Sequence, residues 1–136
     1  MEMKKFLISG FLAGIAVAVI SFAVQFLVSL FLPYDILTLG GMRSAQDPIM
    51  LFFFLQSWVL AFAMACAYMF VEKSVKGDFW AKGKVFGFLI FVVYTLPSVW
   101  VVFTSMNYPL GFTMTQVIGG LLSTVAAGTI IAYFEQ

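Results

Sequence analysis

Four long apolar segments, separated by three shorter breaks, constrain this 136-residue chain more than any other feature. They cover residues 6–32, 49–71, 85–105 and about 112–134. A helix needs about 20 residues to cross a hydrocarbon core of roughly 30 Å, and every segment is long enough. The pattern therefore predicts an all-α, polytopic membrane protein in which residues 1–136 form a single four-helix transmembrane bundle.

Composition indicates the same class of protein. Hydrophobic residues make up 63% of the chain and charged residues 10%, against about 45–50% and about 25% in soluble domains. A soluble domain of this size leaves about a third of its unfolded-chain surface in water, so it could not hide so many apolar side chains. We expect a multi-pass protein of the cell membrane, inner or plasma, with the lipid bilayer as a partner. The net charge of +1 gives no indication of nucleic-acid binding.

Several kinds of chemistry are excluded by the residues that the sequence lacks. The chain has no histidine, the commonest proton shuttle and metal ligand near neutral pH. Its single cysteine, Cys66, cannot form an intrachain disulfide or the cysteine pair of a disulfide-generating oxidoreductase. None of the apolar segments contains the carboxylate that a proton or ion path would require. The sequence therefore predicts a protein that is not an enzyme and has no metal site or cofactor.

The first apolar segment follows Lys4 and Lys5, as the apolar core of a secretory signal peptide would. Such a core has about 7–15 residues and ends at a cleavage site flanked by small residues. Here the apolar segment continues for 27 residues, until Pro33. An uncleaved membrane anchor is therefore the favoured interpretation.

The positions of the basic residues predict the orientation of the bundle. Six of the seven lie at the N-terminus or in the second break, whereas the first break has only Arg43 and the third has none. Because basic residues are enriched on the cytoplasmic side of membrane proteins, both termini are predicted to be cytoplasmic. The six residues on that side are Lys4, Lys5, Lys73, Lys76, Lys82 and Lys84.

Small residues recur every three or four positions in the first, second and fourth segments. Such spacing places them on one face of a helix. Small side chains let helices approach closely in lipid, so we expect these three helices to meet along these faces. The predicted packing residues are Gly10, Gly14, Ala63, Ala67, Gly120 and Ser123.

Each of these three faces also contains one glutamine. At about 1.5 Å of rise per residue, all three glutamines lie on the order of 6–12 Å below the outer surface. The third segment adds Thr95 and Ser98 at a similar depth, beside Pro97, which has no N–H to donate within the helix. We therefore predict a polar layer in the outer half of the bundle, comprising Gln25, Gln56, Ser98 and Gln116.

Two interpretations of this polar layer remain open. In the structural interpretation, which is the commoner use of such residues, the side chains form hydrogen bonds between helices, worth about 0.6 kcal/mol each. In the functional interpretation, they line a vestibule or binding site that opens outward. The outer-loop residues Asp35, Arg43 and Asp47 would then lie at its mouth.

The third and fourth segments carry a family resemblance. It rests on residues 80–89, on Leu96 and Pro97, and on Gly128 shortly before Tyr133. In these residues the chain resembles uncharacterised prokaryotic four-helix small integral membrane proteins, which are grouped as domains of unknown function. The resemblance implies a four-helix integral membrane fold with no assigned activity, and it carries over no catalytic or binding residue.

Three functions are compatible with these observations. The first is a non-enzymatic structural or accessory subunit that acts through helix–helix packing, with a second copy of itself or another membrane protein as its partner. The second is a small transporter or channel whose outward-facing polar layer binds a neutral or weakly polar solute. The third is a binder of lipid or another hydrophobic ligand between helices, near Trp58 and Trp100.

Overall fold

The computed structural model describes residues 2–136, except for the side chain of Ile36. Within this range the chain is all-helical and contains no strand. Three stretches are long and apolar enough to cross a membrane, judged by length and composition. The helices are α1 (Met3–Phe31), α2 (Met50–Phe53), α3 (Gln56–Val71), α4 (Phe79–Ile90), α5 (Leu96–Ser105) and α6 (Leu110–Glu135), with a 3₁₀ turn at Ile36–Thr38 and a π-helical turn at Phe91–Thr95.

The second predicted span differs from the prediction, because it is not one continuous helix. A turn at Phe54 and Leu55 separates α2 from α3. Around it the backbone forms bonds three residues apart, from Leu55 N to Phe52 O (3.1 Å) and from Trp58 N to Leu55 O (3.0 Å). This tighter bonding interrupts the α-helical repeat. With 16 residues, α3 alone is about 24 Å long, shorter than a hydrocarbon core of roughly 30 Å.

The third predicted span is longer than predicted and contains an irregular turn. It begins at Phe79 because Asp78 caps the helix, its carboxylate accepting a hydrogen bond from Ala81 N at 3.0 Å. The π-helical turn lies between α4 and α5, where Leu96 N donates to the carbonyl of Phe91, five residues earlier. Pro97 explains the irregularity, since a proline ring clashes with the preceding turn of a regular α-helix. The wider π turn gives that ring room.

Two helices form the centre of the bundle. α1 and α6 pack along each other, α3 packs on α1, and α4 packs on α6. The start of α1, the end of α6 and the connection between α3 and α4 lie at one end, here called the terminal end. The segment between α1 and α2 and the turn before α6 lie at the other, here called the loop end.

The tightest helix contact joins α4 to α6, although the sequence-based packing faces did not include the third span. A Cβ atom added to Gly87 would lie 2.5 Å from the Cα atom of Val125. One added to Gly128 would lie 2.6 Å from the carbonyl oxygen of Gly83. Only glycine permits backbones to approach so closely, which is how small residues drive helix association in lipid.

The predicted packing residues have different surroundings. Gly10 and Gly14 lie against the rings of Phe62 and Trp58, and Gly120 lies against Thr95. Ser123 is buried, and Ala67 packs against the apolar core described below.

Ala63 is instead exposed, so the structure does not place it at a helix contact. The buried face of α3 runs through Ser57, Ala61, Met64 and Tyr68. At about 100° per residue, that face is rotated by about 120° from the one on which Ala63 lies.

An apolar core fills the terminal end of the bundle. Tyr68 of α3 and Phe86 of α4 meet edge to face within it, with ring centroids 5.1 Å apart. Phe6 and Phe79 pack against this core, so helix starts and ends converge here. The core residues are Ala13, Val17, Ala61, Met64, Ala65, Tyr68, Phe86, Ala127, Ile131 and Ala132.

Candidate functional site

The loop end of the bundle contains a cavity with two adjoining chambers. The inner chamber has a volume of about 210 Å³ and is lined by residues from α1, α3, α5 and α6. The outer chamber has a volume of about 240 Å³ and reaches Leu39, Met42 and Tyr108 at the loop end. The chambers share Phe53, Gln56, Ser98, Val99 and Gln116 in their linings, so they adjoin each other.

The structure places all four residues of the predicted polar layer on this cavity. Gln25, Gln56, Ser98 and Gln116 line the inner chamber, and all but Gln25 also line the outer one. Gln25 is half-buried, whereas the other three are exposed. Each comes from a different helix, so the cavity is where the polar groups of four helices converge.

Hydroxyl groups supply most of the remaining polar lining. No Asp, Glu, Lys or Arg side chain from the described part of the chain lines either chamber. The cavity therefore presents amides and hydroxyls without a formal charge. The hydroxyl-bearing residues of the inner chamber are Ser21, Tyr34, Ser57, Tyr94, Thr95, Ser98, Thr115, Ser123 and Thr124.

Several of these hydroxyls donate their proton to their own helix. Ser98 Oγ donates to the carbonyl of Tyr94 (2.7 Å), and Thr115 Oγ1 donates to that of Gly111 (2.9 Å). A hydroxyl that donates in this way still has lone pairs to accept with, while a glutamine amide can both donate and accept. The site is thus equipped for a molecule that carries both donors and acceptors.

Two polar atoms on the inner chamber lack a partner. Ser123 is 3% exposed, and its Oγ forms no hydrogen bond with any described residue. The hydroxyl of Tyr34 is likewise buried and unpartnered within the described range. Leaving such a group unsatisfied costs about 1–3 kcal/mol. Each of these atoms has almost no accessible surface, so a polar molecule in the chamber would pair with it only after the side chain rotates towards the chamber.

The inner chamber borders a gap between α3 and α5. α3 has few or no close backbone contacts with α4 and α5, and the rings of Tyr68 and Phe86 join α3 to α4 at the terminal end. Gln56 on α3, and Tyr94 and Ser98 across the gap, line the chamber and are exposed, so the gap is open to the surroundings of the bundle. We call this opening the lateral cleft. Its walls are Gln56, Ser57 and Leu60 on α3, and Tyr94, Ser98 and Val99 opposite.

The charged residues predicted at the mouth do not line either chamber. They stabilise the loop between α1 and α2. The carboxylate of Asp35 accepts a hydrogen bond from Leu37 N at 3.0 Å, and Arg43 Nη1 donates to Asp47 Oδ2 at 3.1 Å. The backbone N–H of Ile49, and secondly the guanidinium of Arg43, hold the pKa of Asp47 below its ordinary value.

Sequence reasoning missed part of the lining. Ser57 directly follows Gln56, and Thr115 lies eight residues before Ser123, on the same face of α6. The spacing of these hydroxyls could therefore have identified them from the sequence. Tyr34 could not be identified in this way, because it lies beyond the end of α1 and reaches the cavity through the path of the loop.

The tryptophans considered for hydrophobic-ligand binding lie outside both chambers. Trp58 packs between α3 and α1, with its ring centroid 6.5 Å from that of Phe11. Trp100 is 72% exposed on the outer face of α5.

Comparison of the chain with protein-family models, with curated proteins and with solved structures finds no match. The resemblance to small prokaryotic membrane proteins therefore stays a prediction.

Proposed function

We propose that the protein is an integral membrane protein that crosses the cell membrane four times with both termini in the cytoplasm. The lengths and apolar composition of α1, α6 and the stretch Phe79–Ser105 support three of these crossings. The fourth would be made by α2 and α3 together, because α3 alone is too short. The lysines near the chain's start and between α3 and α4 support the orientation. In this orientation the loop-end cavity faces outward.

We further propose that this cavity binds a small, uncharged molecule that forms hydrogen bonds. One observation carries this proposal: Gln25, Gln56, Ser98 and Gln116, from four different helices, line the inner chamber, and no charged side chain of the described residues lines it. A polar cavity at membrane depth is costly unless its groups are paired. Binding of a neutral polar molecule would pair them, whereas an ion would find no countercharge.

The apolar core supports a carrier or a binding protein rather than an open channel. Met64, Tyr68, Phe86 and Ile131 are each at most 1% exposed and fill the terminal end of the bundle. In the proposed orientation they separate the cavity from the cytoplasm. Passage of a solute would therefore require the helices to rearrange.

The proposal is tested with a single reactive thiol in the cavity. In C66S/S98C protein, reconstituted in dioleoylphosphatidylcholine vesicles, we would measure the rate of modification by N-ethylmaleimide. The uncharged probes are glycerol and dioleoylglycerol. Their charged counterparts are glycerol 3-phosphate and dioleoylphosphatidylglycerol. We expect at least one uncharged probe, and neither charged one, to slow modification.

Two matched variants control this experiment. Val101 is 60% exposed on the same helix and outside both chambers, so C66S/V101C protein should react at the same rate with every probe. Adding Q25L and Q116L to C66S/S98C should abolish the protection, whereas adding Q46L should not, since Gln46 lies in the loop. Protection by no uncharged probe, or equal protection by charged ones, would contradict the proposal.

A second candidate function is that of an accessory subunit acting through helix packing. It is favoured by α5, which contains no buried residue in the described structure. In this proposal, a helix of a second copy or of another membrane protein covers α5. Altered oligomer size in the Q25L/Q56L/Q116L protein, together with no probe protection, would support it.

A further inference from the structure

We propose that the molecule bound in the cavity is an uncharged amphiphile, which enters from the bilayer through the lateral cleft and places a neutral head group against the polar layer. This inference rests on the proposed function and narrows its ligand class. It combines three features: the sideways opening between α3 and α5, the uncharged polar lining, and a buried unpartnered hydroxyl at the inner chamber.

The sideways opening determines where the ligand comes from. Tyr94 is 56% exposed, and the side chains of Gln56 and Ser98 are also exposed along the lateral cleft. In a bilayer this side of the bundle faces acyl chains, which cannot form hydrogen bonds with these groups. A molecule already dissolved in the bilayer reaches the cleft without first entering water. Its head group can then pair with the exposed amide and hydroxyls.

The lining determines the head group. A phosphate would leave water at great cost and would meet no cation in either chamber. A hydroxyl, amide or carbonyl head group loses less on desolvation and finds both donors and acceptors. Ser123, which is 3% exposed, lines the inner chamber, and its Oγ is buried without a partner. Rotation of this side chain towards the chamber would give such a head group a partner beyond the glutamines.

Apolar side chains make room for the hydrocarbon part. Phe22, Phe53 and Phe54 line the inner chamber beside the polar groups, and Leu60 and Val99 lie on the two walls of the lateral cleft. A chain leaving the head group between these walls would stay in contact with apolar surface as far as the bilayer. Adjacent polar and apolar lining is what an amphiphile requires.

The test compares an amphiphile with its own head group. In the C66S/S98C protein, dioleoylglycerol should slow modification by N-ethylmaleimide by about tenfold, the protection expected when about nine-tenths of the cavities are occupied. Glycerol and dioleoylphosphatidylglycerol should not slow it. Native mass spectrometry of the wild-type chain should show retained dioleoylglycerol, which Q56L/Q116L removes and T104V preserves. Thr104 is the control because its hydroxyl bonds within α5, outside the cavity.

The outcomes separate this inference from the proposed function. Protection by glycerol would show that the hydrocarbon part of the ligand is not needed. That result would contradict the amphiphile proposal and leave the proposed function standing. Protection by no uncharged probe would overturn both. Equal retention of the anionic lipid would overturn both as well, because it would show that charge is not discriminated. Disulfide-linked dimers of C66S/S98C would indicate that a second copy of the chain lies at the lateral cleft, which would contradict the amphiphile proposal.

Discussion

The hydroxyl of Tyr108 donates a hydrogen bond to the carbonyl oxygen of Gly40, 2.7 Å away and 68 residues earlier in the chain. The bond joins the turn before α6 to the loop after α1. Tyr108 also lines the outer chamber and packs edge to face on Phe112, with ring centroids 5.2 Å apart. One side chain thus holds the loop beside the cavity.

Replacing Tyr108 with phenylalanine should loosen this loop and leave the bundle intact. The ring contact with Phe112 would remain, while a hydrogen bond worth about 1 kcal/mol would be lost. We expect faster amide hydrogen exchange at Leu39–Met42, measured by mass spectrometry. Y133F is the control, because Tyr133 lies at the terminal end and is 49% exposed. Unchanged exchange in Y108F would show that the bond does not hold the loop.

Replacing Gly87 with alanine should destabilise the protein by about 1–3 kcal/mol, because the added methyl group overlaps the backbone of α6. The nearest atoms are main-chain atoms of Thr124 and Val125, which cannot rotate away. Thermal unfolding in detergent would measure the loss. G40A is the matched control, since a Cβ there meets nothing within 4 Å. Equal melting temperatures for the two variants would contradict the close approach of α4 and α6.

Replacing Pro97 with alanine should convert the π-helical turn to a regular α-helix and stabilise it by about 1–3 kcal/mol. A π turn holds one more residue than an α turn, so residues after it would rotate by about 100°. Ser98 would then turn away from the cavity. We expect P97A to raise the melting temperature but to slow modification of C66S/S98C by a water-soluble maleimide. Faster modification would argue against this account of the turn.

The ion pair between Arg43 and Asp47 should order the loop only above acidic pH. The pKa of Asp47 is lower in the folded protein than its ordinary value of 3.8, first because Ile49 N–H donates to it and then because of Arg43. Its stabilising contribution is therefore present above pH 3.8 and lost as pH falls through the lower folded pKa. Hydrogen exchange in residues 43–50, corrected for intrinsic rates, should accelerate over that range. In D47N the exchange should show no such step.

Labelling from outside the cell tests the orientation. In the C66S background, which removes the one free thiol among the described residues, S44C should react with a membrane-impermeant maleimide and S74C should not. Ser44 lies in the loop between α1 and α2, and Ser74 lies between α3 and α4. Reaction of S74C in intact cells would reverse the proposed topology.

Sequence reasoning reached the helical class and the ends of the first and last helices to within a few residues, because hydropathy and length determine both. It did not reach the turn at Phe54 and Leu55. Hydropathy does not distinguish backbone hydrogen bonds to residue i−3 from backbone hydrogen bonds to residue i−4. Sequence reasoning also did not reach which face of α3 is buried, because a helix that is apolar all round gives little sign of which face contacts its neighbours. Ala63, which its spacing places on a packing face, is exposed in the structure.

The candidate site was predictable to a similar degree. The rise per residue of a helix predicts similar depths for Gln25, Gln56 and Gln116. The structure places all three on the inner chamber. The gap between α3 and α5 could not be read from the sequence, because it depends on which faces of these helices their neighbours cover. The close approach of α4 to α6 was signalled in the sequence by Gly83 and Gly87, four residues apart.

The Tyr68–Phe86 contact sets how far a small tilt of α3 would be amplified at the cavity. Gln56 lies 12 residues, or about 18 Å, further along α3 from that contact. A tilt of α3 by about 10° about the two rings would therefore displace Gln56 by about 3 Å. Since α3 also packs on α1, such a tilt requires those two helices to repack as well.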